Sequence, residues 1–190
     1  MKRVIIVHGW YGRPDLGWMN WLNKELSSRE IEVIAPNMPD PDFPKIDSWV
    51  SYLQNIIPYS ELNEEVYFIG HSIGCQTIIR YLEASPESSK IGGAVFVAGW
   101  LTLKNLVTEE EKEVSEPWLN TPINFDKVKG KIGKSFAVFS EDDPYVPVSN
   151  TILFKDNLNA ETMIENRKGH YVENEIMKIG PVLDKVLGWM

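Results

Sequence analysis

Cysteine and histidine are scarce in this sequence. Cys75 is the single cysteine among 190 residues, which excludes an internal disulfide and a metal site built from several cysteines. The three histidines form no closely spaced pair. Gly9 and Gly12 lack both the third glycine of a dinucleotide fingerprint and the lysine of a phosphate-binding loop. We therefore expect no metal and no cofactor.

Positive charge and long apolar runs are lacking as well. The formal net charge is −8, whereas a nucleic-acid surface needs a basic stripe and an anionic membrane attracts a polybasic patch. Only the four apolar residues 4–7 stand between the basic N-terminus and His8, too few for a signal peptide. No segment approaches the roughly 20 apolar residues of a membrane span. We expect no nucleic-acid or membrane partner and a cytoplasmic location.

What the sequence does contain is an ordinary globular composition, with 43% hydrophobic and 24% charged residues. Its length predicts a single domain over residues 1–190. Short β-branched runs alternate with amphipathic stretches, which is typical of a mostly parallel α/β sheet of about six strands with helices on both faces. The predicted strands are 4–7, 31–35, 66–69, 94–98, 136–139 and 161–164.

Helical periodicity separates these strands. Apolar stripes predict helices over 18–26, 46–57, 75–82 and 176–187. The connection 100–125 lies where a lid would sit and carries the acidic run 109–111, which we interpret as a solvated helix face. Because this connection is short, we expect a minimal lid or none.

The strongest chemical signal is the pattern G-x-S-x-G over residues 70–74. A predicted strand runs into it and a predicted helix follows it. In this context the flanking glycines allow a tight strand-to-helix turn that exposes the hydroxyl of Ser72 at a helix N-terminus. The pattern predicts a nucleophilic serine in an α/β-hydrolase fold.

A nucleophilic serine needs a base and an acid. His71 adjoins Ser72 and should point away from it, and His8 is expected to order the first loop, which leaves His170 as the base. In this fold the acid lies between serine and histidine, at a strand end. Asp143 fits best, because Val146 and Pro147 follow it in the pattern D-x-x-V-P that is usual at this corner. Asp142 is the alternative, and Glu141 beside them is also acidic.

An acyl-transfer site also needs donors for an oxyanion and a pocket for the acyl group. The backbone N–H groups of Ile73 and Trp10 are the candidates for the oxyanion hole. Residues near the strand ends are candidates for the substrate pocket: Tyr11, Trp100, Leu101 and Trp118.

Four stretches together resemble one group of proteins, the small serine hydrolases of the retinoblastoma-binding protein nine and YdeN type. They are residues 8–11, the Asn-Met-Pro-Asp-Pro block 37–41, residues 70–72, and 142–144 together with 169–170. The resemblance implies a compact α/β hydrolase with the triad Ser72, Asp143 and His170, no cofactor, and esterase-type activity on simple esters. Tyr171 departs from the phenylalanine that often follows the histidine in such proteins.

The favoured function is therefore hydrolysis of small carboxylic esters (EC class 3.1.1), with short acyl groups suited to an open site. Two alternatives use the same residues differently. One is an amidase or thioesterase with the same triad, and the other is a protein-binding module in which the triad is idle.

Overall fold

The fold is organised around one parallel sheet in the computed structural model, which describes residues 1–172 and 176–190. Within these residues the sheet has six strands in the order β2-β1-β3-β4-β5-β6. The strands are β1 Arg3–Val7, β2 Glu32–Ile34, β3 Val66–His71, β4 Ile91–Val97, β5 Ile132–Ser140 and β6 Glu161–Glu165. All neighbouring pairs are parallel. The six predicted strands are thus confirmed.

Strand order determines where a ligand can bind. The chain leaves β1 towards β2 on one side and leaves β3 towards β4 on the other, although β1 and β3 are neighbours. Connections that diverge in this way open a crevice at the carboxyl ends of the two strands. Ser72 follows β3 directly, so the turn that carries it lies at this crevice.

Seven helices in the described residues accompany the sheet. They are α1 Gly17–Ser27, α2 Ile46–Ile56, α3 Ile73–Ala84, α4 Glu109–Asn120, α5 Phe125–Lys129, α6 Asn150–Leu158 and α7 Gly180–Trp189. Side chains of α2 to α6 pack in one apolar cluster around Phe68 and Phe96. Those of α1 and α7 pack in a second cluster around Ile6 and Ile69. Helices therefore cover both faces of the sheet, as predicted. Among the described residues, each helix falls short of the length and hydrophobicity needed to cross a bilayer.

The last helix is shorter than predicted. It begins at Gly180, so that Ile176 and Ile179 precede it. A helix starting at 176 would place Pro181 in its interior, where proline removes a hydrogen bond and clashes with the preceding turn. Near the start of the helix, the missing N–H has no cost. Ile179 is still buried against the sheet, which is why the apolar stripe extends beyond the helix.

The connection after β4 forms the helix α4 rather than a larger lid domain. Its N-terminus is closed by a capping box in which Thr108 and Glu111 each bond the other's backbone N–H. Glu109 and Glu110 are exposed, as expected of a solvated helix face, whereas Glu111 is half-buried and serves the cap. The helix and the loop before it bound one side of the cavity described below.

Candidate active site

Ser72 occupies a strained turn between β3 and α3. Its backbone has φ 51° and ψ −120°, a conformation that residues with a side chain rarely adopt. Backbone bonds hold the turn, with Ser72 N donating to Val97 O at 2.9 Å and Cys75 N donating to Ser72 O at 3.0 Å. A Cβ at Gly74 would lie 2.4 Å from Val7 O. Glycine is therefore required there because α3 approaches β1 so closely.

The side chain of Ser72 begins a chain of hydrogen bonds. Its Oγ lies 2.9 Å from Nε2 of His170, and Nδ1 of His170 lies 2.8 Å from Oδ2 of Asp143. A carboxylate accepts only, so Nδ1 carries the proton and Nε2 is free to accept the hydroxyl proton of Ser72. Ser72 and Asp143 are buried, and the His170 side chain is 15% exposed. We call these three residues the strand-end cluster.

Two adjacent aspartates after β5 have different contacts. Asp143 uses Oδ2 for His170, while its Oδ1 accepts the backbone N–H groups of Tyr145 and Val146, each at 2.9 Å. Its carboxylate is therefore fixed on both oxygens. Asp142, the alternative acid, bonds other groups, so of these two aspartates it is Asp143 that contacts the imidazole of His170.

Asp142 instead joins two loops. Its Oδ1 accepts the hydroxyl of Ser140 at 2.6 Å and the backbone N–H groups of Lys168 and Gly169, both at 3.1 Å. The Ser140 hydroxyl, followed by the Gly169 N–H, lowers the pKa of the Asp142 carboxyl below its ordinary value because both donate to the ionised form. Asp142 thus attaches the loop that carries His170 to the end of β5.

The His170 loop is also held from behind. The backbone carbonyl of His170 accepts Nε2–H of His71 at 2.8 Å, and Trp18 Nε1 donates to the carbonyl of Tyr171 at 2.9 Å. Tyr171 is fully buried, and its hydroxyl lies 3.0 Å from both the carbonyl of Phe139 and the carboxylate of Glu165. Burial raises the pKa of this phenol. The hydroxyl of Tyr171 therefore adds a hydrogen bond between the loop and β5.

The first loop is organised by His8, as expected. Nδ1 of this buried imidazole donates to Gly9 O at 2.8 Å, and Met38 N donates to Nε2 at 2.9 Å. The Asn-Met-Pro block is thereby linked to the loop that carries Trp10. In the part of the chain that the structure describes, the backbone N–H groups of Trp10 and Ile73 have no hydrogen-bond acceptor. Both residues line the cavity beside Ser72.

The cavity has a volume of about 420 Å³ and reaches Ser72 and His170. Tyr11 and Trp100 line it, as two of the four predicted pocket residues. Several lining residues escaped the prediction, chiefly Leu16, Leu103, Leu106, Val114 and Val172. The pattern Thr-x-x-Glu at 108–111, which marks a helix start, is the sequence signal that could have drawn attention to the α4 side.

The other two predicted pocket residues lie elsewhere, which corrects the expectation. Trp118 is 1% exposed and packs against Trp49 under α4, with Nε1 donating to Pro44 O at 3.1 Å. Leu101 donates its backbone N–H to Oδ1 of Asn150 at 2.8 Å and does not line the cavity. Trp118 faces away because its helical stripe belongs to the core, a distinction that position near a strand end does not reveal.

The described residues offer neither a metal site nor an exposed cysteine as an alternative to Ser72. No group of three or more histidine, cysteine, aspartate or glutamate side chains there is arranged to hold a metal ion. Cys75 is fully buried, and burial raises the pKa of its thiol, so it remains protonated packing material. A hydroxyl bonded to an imidazole, which is bonded in turn to a buried carboxylate, is suited to nucleophilic attack on a carbonyl.

Comparison with known proteins finds relatives over nearly the whole chain. The chain is 27% identical to the YdeN protein of Bacillus subtilis (strain 168), over 98% of this chain and 94% of YdeN. The crystal structure of the ydeN gene product superposes with a TM-score of 0.88 at 25% identity, covering 100% of this chain and 98% of the other. The serine hydrolase RBBP9 of Rattus norvegicus is 23% identical over 96% of this chain and 89% of its own.

A more distant likeness concerns the fold alone. A crystal structure from work on carboxylesterases of Nitrososphaera gargenis superposes with a TM-score of 0.72 at 16% identity, covering 99% of this chain and 89% of the other.

A family model for serine hydrolases matches residues 4–187, nearly the whole sequence. The chain therefore belongs to the serine hydrolase family, and its fold is that of the α/β hydrolases.

Proposed function

We propose that this hydrolase cleaves small carboxylic esters (EC class 3.1.1) through a covalent acyl-enzyme on Ser72, with His170 as base and Asp143 as its orienting acid. The observation that carries the proposal is the pair of hydrogen bonds of 2.9 Å and 2.8 Å that connects the three side chains at the edge of a cavity. Such an arrangement makes a serine hydroxyl nucleophilic at neutral pH.

The first half-reaction acylates the serine. Oγ of Ser72 attacks the ester carbonyl carbon while its proton passes to Nε2 of His170. The carbonyl oxygen becomes an oxyanion, which the N–H groups of Trp10 and Ile73 receive. The alcohol then leaves with the proton from His170. Each donor of this kind contributes about 2.7–4 kcal/mol to transition-state stabilisation, so both backbone groups are important.

The second half-reaction releases the acid. A water molecule gives a proton to His170 and attacks the acyl carbon, and the same two amides hold the second oxyanion. The bond to Oγ breaks, and Ser72 regains its proton from His170. The buried Asp143 keeps its hydrogen bond to Nδ1 of His170 and stabilises the imidazolium that forms in each half-reaction.

The cavity supports an ester with a modest acyl group. Its volume of about 420 Å³ lies towards the low end of small-molecule sites. Aromatic and aliphatic side chains dominate its wall, which suits an apolar acyl chain, and carboxylesterases occur among proteins of similar fold. We expect acetate and butyrate esters to turn over faster than octanoate esters.

The test is the mass of the intact protein after exposure to a fluorophosphonate. Wild type is expected to gain one adduct, which Ser72→Ala and His170→Ala lose. Ser89→Ala is the matched control, since Ser89 is buried outside the cavity lining and its loss should leave labelling intact. A folded wild type that takes no adduct contradicts the proposal and favours the protein-binding alternative. Matched acetate ester, thioester and anilide substrates separate the esterase from the thioesterase and amidase.

A further inference from the structure

The nucleophile candidate has a second hydrogen-bonding neighbour. Nε1 of Trp100 lies 3.3 Å from Oγ of Ser72. An indole nitrogen donates only, and the hydroxyl proton of Ser72 is already directed to His170. The direction is therefore fixed, with the indole N–H donating to a lone pair of the serine oxygen.

Buried polar side chains hold Trp100 in this position. Nε2 of Gln76 donates to the carbonyl of Trp100 at 3.1 Å, and Oε1 of Gln76 is oriented by the guanidinium of Arg80 at 3.1–3.2 Å. Just after Trp100, the N–H groups of residues 101 and 102 donate to Oδ1 of Asn150 at 2.8 and 3.2 Å. Gln76 and Asn150 are 1% and 0% exposed.

These hydrogen bonds fix the position of Trp100 beyond what apolar packing alone would do. Burying an amide side chain is costly unless its hydrogen bonds are made, so each of these residues constrains the backbone around position 100. The constraint keeps the indole N–H on Oγ, in a residue that also lines the cavity. Trp100 is itself 3% exposed, so water has little access to this hydrogen bond.

We propose that Trp100 is a further catalytic residue, whose indole N–H stabilises Oγ of Ser72 as the leaving atom when the acyl-enzyme breaks down. This role rests on the proposed function. In that step the bond between the acyl carbon and Oγ breaks, and its electron pair goes to Oγ. The proton comes from the His170 imidazolium, and the hydroxyl group from water stays on the released acid. Trp100 keeps its own proton and donates a hydrogen bond that strengthens as Oγ gains charge.

The acylation step gains less from the same contact. During attack, Oγ gives electrons to the carbonyl carbon, and a donor on one lone pair withdraws some of that density. The N–H then mainly fixes which lone pair is directed at the substrate. We therefore expect loss of the indole N–H to slow deacylation more than acylation, a split that a purely structural role does not produce.

The test replaces Trp100 with 3-benzothienylalanine, which keeps the ring size and removes the N–H, and in parallel uses Trp100→Phe. Burst kinetics with p-nitrophenyl acetate separate the two steps, and fluorophosphonate labelling measures attack alone. We expect deacylation to fall about tenfold, equivalent to one hydrogen bond of about 1.4 kcal/mol, and labelling to fall less than about threefold. Trp118→Phe is the matched control, because it loses a buried indole N–H that does not reach Ser72.

The outcomes separate the two proposals. A wild type that labels and turns over ester, with a benzothienyl variant that deacylates at the wild-type rate, overturns the role of Trp100 and leaves the proposed function standing. Equal losses in labelling and deacylation also overturn it, since they indicate displaced packing. A wild type that neither labels nor hydrolyses any ester overturns the proposed function and this role with it.

Discussion

The two sides of the cavity are built differently. On one side is the strand-end cluster, in which Asp143 is 2% exposed and uses both carboxylate oxygens. On the other side is the segment 103–115, which we call the α4 wall. Much of this segment is exposed, and its helix is capped by its own residues, Thr108 and Glu111.

The α4 wall is attached to its neighbours by exposed contacts, whereas the far end of its helix is attached by buried ones. Its loop is joined to the β5 side through Lys104 N, which donates to Tyr145 O at 2.9 Å, and its helix meets the first loop where the hydroxyl of Tyr11 donates to Glu110. Tyr11 is 57% exposed. By contrast, the far end of α4 is anchored by the buried guanidinium of Arg80, which donates to the carbonyls of Trp118 and Thr121.

This difference indicates how the molecule divides its tasks. Exposed polar contacts are each worth about 0–1 kcal/mol, whereas removing one partner of a buried hydrogen-bonded pair costs more because the other is left unsatisfied. The three side chains of the strand-end cluster, whose mutual distances must be precise, are on the buried side. The wall that bounds the substrate is held by contacts that can change at little cost. Substitutions on the two sides should therefore have effects of very different size.

Asp143→Asn should have the largest effect. The Asn oxygen can still accept from Tyr145 and Val146, which leaves the amide nitrogen facing His170. That nitrogen donates, so Nδ1 must accept and the imidazole proton moves to Nε2. A protonated Nε2 can no longer accept the hydroxyl proton of Ser72. We expect kcat for ester hydrolysis to fall about 10³- to 10⁴-fold.

Thermal unfolding is the control for this variant, since the isosteric side chain should change Tm little. Steady-state kinetics on p-nitrophenyl butyrate give the rate. An activity within tenfold of wild type would contradict the proposed difference between the two sides of the cavity, because it would mean that the buried carboxylate does not control the tautomer of His170.

Much of the buried side was predictable from sequence. Ser72 stands in a motif with strict spacing, and each of its partners follows a predicted strand, so chain order and the small number of histidines were enough to select His170. The choice of Asp143 over Asp142 rested on the following Val-Pro, and the structure shows the physical difference: only Asp143 reaches the imidazole.

The α4 wall was less predictable. Its residues do not come directly after a strand, as Ser72 does, but several positions beyond the end of β4. Whether Trp118 faces the cavity or the core depends on how α4 rotates against Trp49 and Arg80. α6 was also missed, because its buried positions are Asn150, Phe154 and Leu158, and one of the three is polar. Asn150 can be buried because its side chain accepts the backbone N–H groups of residues 101 and 102. These residues lie far from Asn150 in the sequence, so the contact is evident only in the tertiary structure.

Asp142→Ala should have an intermediate effect. It removes the acceptor that holds the backbone of Lys168 and Gly169, so the loop that carries His170 loses one of its attachments. Because small displacements of a catalytic group are costly, we expect kcat to fall about tenfold with KM little changed. Asp142→Asn is the control, since its oxygen still accepts, and it should keep most of the activity.

The pH dependence of stability tests the same contact. The pKa of Asp142 is lowered in the folded protein, so its stabilisation is present above the ordinary carboxyl pKa and is lost as pH falls through the lower folded value. Tm of wild type measured from pH 7 to pH 3 should therefore fall more steeply at the acid end than Tm of Asp142→Ala. Parallel curves would show that the contact does not stabilise the fold.

Tyr11→Phe should have the smallest effect, and it tests the exposed side of the comparison. The substitution removes the hydroxyl that donates a hydrogen bond to Glu110, another residue of the cavity lining, while the ring can still stack on Trp10. Because the pair is exposed, we expect kcat to change less than about twofold. KM for the octanoate ester should change more than KM for the acetate ester, since a longer chain contacts more of the cavity wall. Glu110→Gln keeps an acceptor for the hydroxyl and is the matched control. A loss in kcat as large as that of Asp142→Ala would show that the α4 wall takes part in positioning Ser72 or His170, and the division between a fixed side and an adaptable side would then have to be abandoned.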